Sequence, residues 1–196
     1  DGTVAIGRSA GTAITSGQSN TAIGYEAGKN QSTADSNTFV GYQSGRQTTG
    51  NNNTALGKYT MYEGAGADGN TAIGTNALQN TTADNNTALG YRAGFSNLGS
   101  GNVFLGKWAG YNETGSDKLY IENSNTTTPL IGGDFSTNEV TINGDLTVTE
   151  NVGVNGELTV TANVGIGTDN PSAKLDVVGN VKVNGYFTHW QTYWRK

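Results

Sequence analysis

The chain has 196 residues, of which 34% are hydrophobic, 30 are glycine and none is cysteine, with sixteen acidic against eleven basic residues and a net charge of −5. So little apolar material cannot build one large globular core, and without cysteine there are no disulfides or thiolate metal sites. The basic residues are scattered, which disfavours nucleic-acid binding, and no apolar run approaches the roughly 18 residues of a membrane-spanning helix.

The apolar residues that are present fall in phase. From the N-terminus a short phrase returns as "NTAIG", "NTFVG", "NTALG", "NTAIG", "NTALG" and "NVFLG". Its glycines are Gly7, Gly24, Gly41, Gly57, Gly74, Gly90 and Gly106, so the steps are 17, 17, 16, 17, 16 and 16 residues. Self-similarity at so even a period is the signature of a stacked solenoid. One residue before each glycine runs a branched aliphatic column: Ile6, Ile23, Val40, Leu56, Ile73, Leu89 and Leu105. The residue before that is Ala or Phe, and the two columns must point to opposite faces of a strand. The aliphatic column is expected to be the inward structural ladder, with the Ala/Phe column facing a second wall of the coil or a neighbouring chain. A second small column follows at Ala10, Ala27, Ser44, Thr60, Ala77, Ala93 and Ala109. Each unit therefore reads as two short strands around a tight glycine turn, and the Asn-Thr pairs as hydrogen-bonded ladders. Residues 1–115 are predicted to form a parallel β-solenoid of seven rungs. One rung buries little by itself, so neighbouring rungs share the core, and threefold closure of three chains around an axis is the economical way to cover a thin rod.

Beyond residue 115 the pattern changes. Residues 116–143 alternate apolar and polar positions as strands do. A twelve-residue repeat follows in "GDLTVTENVGVN" and "GELTVTANVGIG", with a third copy through "LDVVGNVKV" after the insertion "TDNPS". Residues 144–187 thus read as a fibrous β-shaft in which each chain offers one apolar stripe. Residues 188–196 close on an aromatic tip.

The seven "NTAIG"-type units resemble the head repeats of trimeric autotransporter adhesins and the related repeats of bacteriophage tail fibres. The segments "LYIENS…PLIGGDF…VTINGDLTV" and "VGIGTDNPSAKLDVVGNVKVNG" look like the shafts of fibres that carry an endosialidase-type intramolecular chaperone. The resemblance implies an intertwined, all-β homotrimer outside the cell, serving attachment to a host cell or surface through a glycan or protein receptor. It implies a virion tail fibre, with a bacterial surface adhesin as the alternative. It also implies that this chain is a mature fragment and that a C-terminal chaperone is removed after assembly, close to Lys196.

Motifs with chemical meaning are few. "GAGADG" places Gly64, Gly66 and Gly69 in the dinucleotide spacing, but a rung follows where that fingerprint needs a helix. Asp35, Asp68 and Asp84 recur three residues before a rung's threonine, as turn residues would. His189 is the lone histidine and has no nucleophile elbow to serve. No catalytic residue, metal ligand or cofactor is expected, and a non-enzymatic role follows. His189, Trp190, Tyr193 and Trp194 form the receptor-binding candidate, because aromatic faces stack on sugars and anchor interfaces; packing as a trimer plug is the alternative. Two rival functions remain open: a tailspike-type polysaccharide depolymerase, and an ice-binding solenoid built on the threonine column.

Overall fold

The computed structural model describes residues 2–181, in two compact units, Asp1–Leu146 and Thr147–Lys196. All the regular structure described is β. The first unit opens with seven three-residue strands: β1 Val4–Ile6, β2 Thr21–Ile23, β3 Thr38–Val40, β4 Thr54–Leu56, β5 Thr71–Ile73, β6 Thr87–Leu89 and β7 Val103–Leu105. Each pairs in parallel and in register with the next, so that Ile6 lies against Ile23, Ile23 against Val40, and Leu89 against Leu105. The parallel β-solenoid expected from the period is present. From β2 to β7 its strands are short because only three residues stand between the rung's asparagine and the glycine. That glycine is required twice over. Its φ lies between 120° and 144° in all seven rungs, and a Cβ on Gly7 through Gly90 would sit 2.3–2.8 Å from the carbonyl oxygen of the next rung's glycine.

The faces of these strands are the reverse of the expectation. The Ala/Phe column is the core: Ala22, Phe39, Ala55, Ala72 and Phe104 are fully buried. The aliphatic ladder is continuous and in register, but it points outward, with Ile6 58%, Leu56 48%, Ile73 37%, Leu89 46% and Leu105 41% exposed, and Ile23 and Val40 half-buried. In a three-residue strand only the middle side chain can face in, because side chains alternate. The opposing wall is the small column Ala27, Ser44, Thr60, Ala77, Ala93 and Ala109, all buried.

Space between the two walls is shared rung by rung. Four residues after the repeat glycine stands Gly45 in the rung of Phe39 and Gly110 in the rung of Phe104, and a Cβ there would fall 2.4 Å and 2.1 Å from the phenyl ring. In the rungs of Ala55 and Ala72 the same position holds Met61 and Leu78, both fully buried. Large residues thus come from either wall, and where both are small, as at Ala22 with Gly28 and Ala88 with Gly94, large residues of adjacent rungs take the room: a Cβ on Gly28 would lie 3.2 Å from Phe39, and one on Gly94 2.6 Å from Leu78.

No second strand forms in the rung. The segment after the glycine is a run of turns, with non-glycine residues in the left-handed region at one repeated position: Ser9, Glu26, Gln43, Tyr59, Asn76, Arg92 and Trp108 have φ of 52–62°. Each such residue costs about 1–2 kcal/mol. It is held there by its N–H, which donates to a carbonyl of the rung before: Glu26 to Arg8 at 2.9 Å, Tyr59 to Tyr42 at 2.9 Å and Trp108 to Tyr91 at 2.9 Å.

The returning loops are locked by side chains. Asn20, Asn37, Asn53, Asn70, Asn86 and Asn102 are fully buried, and the Oδ1 of each accepts the backbone N–H of its counterpart in the next rung, as in Asn37 to Asn20 at 2.9 Å and Asn86 to Asn70 at 2.9 Å. The expected ladder exists, but it runs from side chain to backbone, and the threonines stand outside it on the outer strand face.

The stack does not end at residue 115. Strand β8, Lys118–Ile121, adds to β7 in parallel with Leu105 against Ile121, and Lys118 N–H donates to Asn102 Oδ1 at 2.7 Å as in an ordinary rung. Glu122 stands where the glycine would, which is why the phrase is not recognisable there. Strands β9, Ile131–Asp134, and β10, Glu139–Ile142, then continue the sheet antiparallel, with Ile121, Ile131 and Ile142 in one row. One ten-stranded sheet results.

In the second unit the described strands are β11, Val164–Ile166, and β12, Leu175–Val177, paired in parallel. The Ser172 hydroxyl and N–H both donate to Asp176, at 2.8 Å, closing the turn around Pro171. The twelve-residue repeats before it form no strand over residues 144–163, and only the end of the second copy enters β11. Their apolar residues are bare, with matching exposure in successive copies: Leu146 69% and Leu158 70%, Val148 45% and Val160 45%.

Candidate functional site

Two surfaces of the solenoid carry more than packing explains. The first is the outer face of the sheet. Its aliphatic row runs unbroken from Ile6 through Ile73, Leu105 and Ile121 to Ile142, one residue from each of ten strands. Nine intervals of about 4.8 Å make the row roughly 43 Å long. Beside it, on the same face, lie Thr38, Thr54, Thr71 and Thr87, all exposed. An apolar row of that length, with six of its ten side chains exposed and the others half-buried, approaches the largest patches that monomers leave open.

The second surface lies on the turn segment just after the repeat glycine. Here the first, second and fifth residues beyond the glycine bring aromatic and basic side chains together. Tyr25 stacks on Tyr42 with centroids 5.1 Å apart, Tyr42 meets Tyr59 edge-on at 5.4 Å, and Tyr59 meets Tyr62 at 5.5 Å. Further along, Tyr91 leans on Trp108 at 6.5 Å and Phe95 stacks on Tyr111 at 4.8 Å. Cations lie over these rings: Arg8 over Tyr25, Lys58 over Tyr42 and Tyr59, Arg92 over Tyr91 and Phe95, Lys107 over Trp108. Such contacts hold flexible cations in place. Six of the eleven basic residues, Arg8, Lys29, Arg46, Lys58, Arg92 and Lys107, scattered in sequence, therefore share the turn segments on one side of the coil. Burial, with Tyr59 alongside, pushes the Tyr42 phenol up from its ordinary value, so it remains a neutral hydrogen-bonding group.

One carboxylate intrudes on this face. Glu26 accepts from Lys29 at 2.7 Å, Arg46 at 2.7 Å and Gln43 at 2.6 Å. Those donors, Lys29 first, hold its pKa down at about 2. The cluster joins the second and third rungs and sets two cations, Lys29 and Arg46, on one carboxylate.

The remaining predicted positions have structural roles or fall outside what is described. Asp35, Asp68 and Asp84 accept backbone N–H groups of the preceding rung, Gln18 at 2.6 Å, Asn51 at 2.5 Å and Asp68 at 2.8 Å. They are rung-to-rung caps where local turns were expected. Gly64, Gly66 and Gly69 lie in the loop between β4 and β5, with no helix following. His189, Trp190, Tyr193 and Trp194 lie outside the described residues. Among the described residues no group of three or more His, Asp or Glu side chains could hold a metal ion, and no helix is long and apolar enough to cross a membrane.

The aromatic face was missed at the sequence level, although its signal was present. Aligning the units on their glycine puts Tyr25, Tyr42 and Tyr91 in one column and Tyr62, Phe95 and Tyr111 in another. Comparison with protein-family profiles, with curated proteins and with solved structures finds no match.

Proposed function

We propose that the protein is a non-enzymatic, homotrimeric fibre for attachment to a host cell or surface, of the tail-fibre type, working outside the cell. The observation that carries this reading is the aliphatic row from Ile6 to Ile142, one residue from each of ten strands, of which Ile6, Leu56, Ile73, Leu89, Leu105 and Ile142 are exposed in the single chain and Ile23, Val40, Ile121 and Ile131 half-buried. Water-exposed apolar side chains repeated at this regularity favour burial against an equal surface, at about 25 cal/mol per Å². The same row on a second and third copy is that surface, and a stripe only one aliphatic residue wide per rung suits three chains meeting at an axis. Leu146, Val148, Leu158 and Val160 extend the argument, since their repeats leave identical apolar positions uncovered.

Light scattering on the intact protein is expected to give about three times the 20.3 kDa chain mass. Replacing Ile73 by Asp places a charge in the middle of the row and is expected to release single chains. A well-folded monomer in the unaltered protein would refute the trimer. A reducing-sugar assay on host polysaccharide addresses the depolymerase alternative, and no release is expected.

A further inference from the structure

We propose that the aromatic–basic face of the coil binds a linear acidic polysaccharide lying along the stack of rungs. This deepens the attachment reading and rests on it.

The face is divided. The fifth rung presents Thr75, Asn76 and Gln79 in the three columns and alone among the seven has no aromatic or basic residue in any of them, and Asn76 and Gln79 hydrogen-bond to one another. On one side stands a patch of Tyr25, Tyr42 and Tyr59 with Lys58; on the other, Tyr91, Phe95 and Trp108 with Arg92. The centres of the two patches are separated by about three rungs, roughly 14 Å along the stack. Only an extended ligand reaches both.

Charge selects its chemistry. Lys29 and Arg46 are consumed by Glu26. Among the described residues, Arg8, Lys58, Arg92 and Lys107 have no carboxylate within ion-pair distance. They run from the first to the seventh rung, about 29 Å, so one available cation occurs roughly every 10 Å. A nucleic acid strand carries a charge about every 3.4 Å, far denser than this face can match, and the chain as a whole is acidic at −5. A sugar polymer with one carboxylate per disaccharide has the sparse charge that fits. Its ring faces and hydroxyls suit the rest of the surface. Tyr42 is 44% and Tyr91 41% exposed, and their phenols donate and accept hydrogen bonds beside a ring.

The test uses the assembled protein against surfaces of hyaluronan and alginate, with neutral dextran and single-stranded poly(dT) for comparison. Retention on an acidic polysaccharide, weakened by salt and absent on dextran, is the expected result. Tyr42→Ser and Tyr91→Ser each remove an exposed ring from one patch and are expected to weaken binding of long chains tenfold or more, since a chain bridging both patches loses its second anchor. Leu98→Ser, an exposed position outside both patches, is expected to change nothing. Light scattering on every variant reports assembly separately, so a lost trimer is distinguished from a lost binding face. Absence of retention on both acidic polymers at low salt would overturn the proposal. So would retention indifferent to the two tyrosine changes, or tighter tyrosine-dependent retention on poly(dT).

Discussion

Exchanging the two walls of one rung tests how the core is built. Phe39 is fully buried, and the glycines beside it leave its ring no side chain to lean away from: a Cβ on Gly45 would lie 2.4–2.5 Å from three ring atoms. Phe39→Ala alone should cost about 3–5 kcal/mol, as buried phenylalanine truncations do. Gly45→Leu alone should also destabilise, by about 1–3 kcal/mol of overpacking and about 1–2 kcal/mol for a side chain at φ 60°. Combined, the two changes reproduce the arrangement of the following rungs, where Ala55 faces Met61 and Ala72 faces Leu78. Met61 and Leu78 already occupy left-handed geometry at φ 49° and 46°, so the coil admits a long side chain there. The double variant should recover about 2–3 kcal/mol relative to the sum of the singles, a coupling that urea unfolding at one fixed chain concentration can measure. If Gly45→Leu does not fold, rescue by Phe39→Ala carries the same information. Additive costs would refute the shared-volume account.

Two further outcomes follow from the polar network. Glu26 has a folded pKa of about 2 against an ordinary 4.5; the shift is downward, so its stabilisation is complete above about pH 4.5 and is lost as pH falls toward 2. Melting temperature should therefore fall over that interval, and less steeply in Glu26→Gln, a side chain that the same column carries at Gln43; equal slopes would remove Glu26 from the account. In the asparagine ladder, Asn53 accepts from Asn70 N–H at 2.9 Å and donates to Ala67 at 2.7 Å, whereas Asn86 accepts from Asn102 at 2.9 Å but its Nδ2 has no partner. Asn53→Ala should then lower the unfolding free energy by about 1–2 kcal/mol more than Asn86→Ala.

The period of the chain was legible because the glycine at each rung has no substitute: backbone of the next coil occupies the space where a side chain would go. Register followed from the same alignment, since Ile6, Ile23 and Val40 can pair only at equal distance from that glycine. Which face was inside could not be read from hydrophobicity alone. Isoleucine outranks alanine on any such scale, yet a coil of 16–17 residues has room between its walls for one large residue, Phe39 opposite Gly45 or Met61 opposite Ala55. The narrow section decided against the more apolar column. The eighth rung was hidden by one residue, Glu122 in place of glycine, at the stack's last parallel step, where an antiparallel strand follows and no further coil presses on it. The aromatic face was hidden differently, because its residues are shared among three columns and meet only across rungs, as Lys58 does with Tyr42.

The outer strand face also bears on the ice-binding alternative. Thr71 and Ile73 are two residues apart on one strand and share that face, as do Thr54 with Leu56 and Thr87 with Leu89. Water could be ordered on the threonine column only if the aliphatic column beside it stayed open to solvent. Association through the aliphatic row covers both columns together, because outward residues two apart on one strand stand only about 6.7 Å from each other. Trimer closure and ice binding are thus competing uses of one surface, and the same variant separates them. Ile73→Asp is expected to free single chains without conferring any effect on ice recrystallisation, since the new carboxylates interrupt the apolar row that such a face would need. An unaltered protein that is monomeric and halts recrystallisation would transfer this face from assembly to ice.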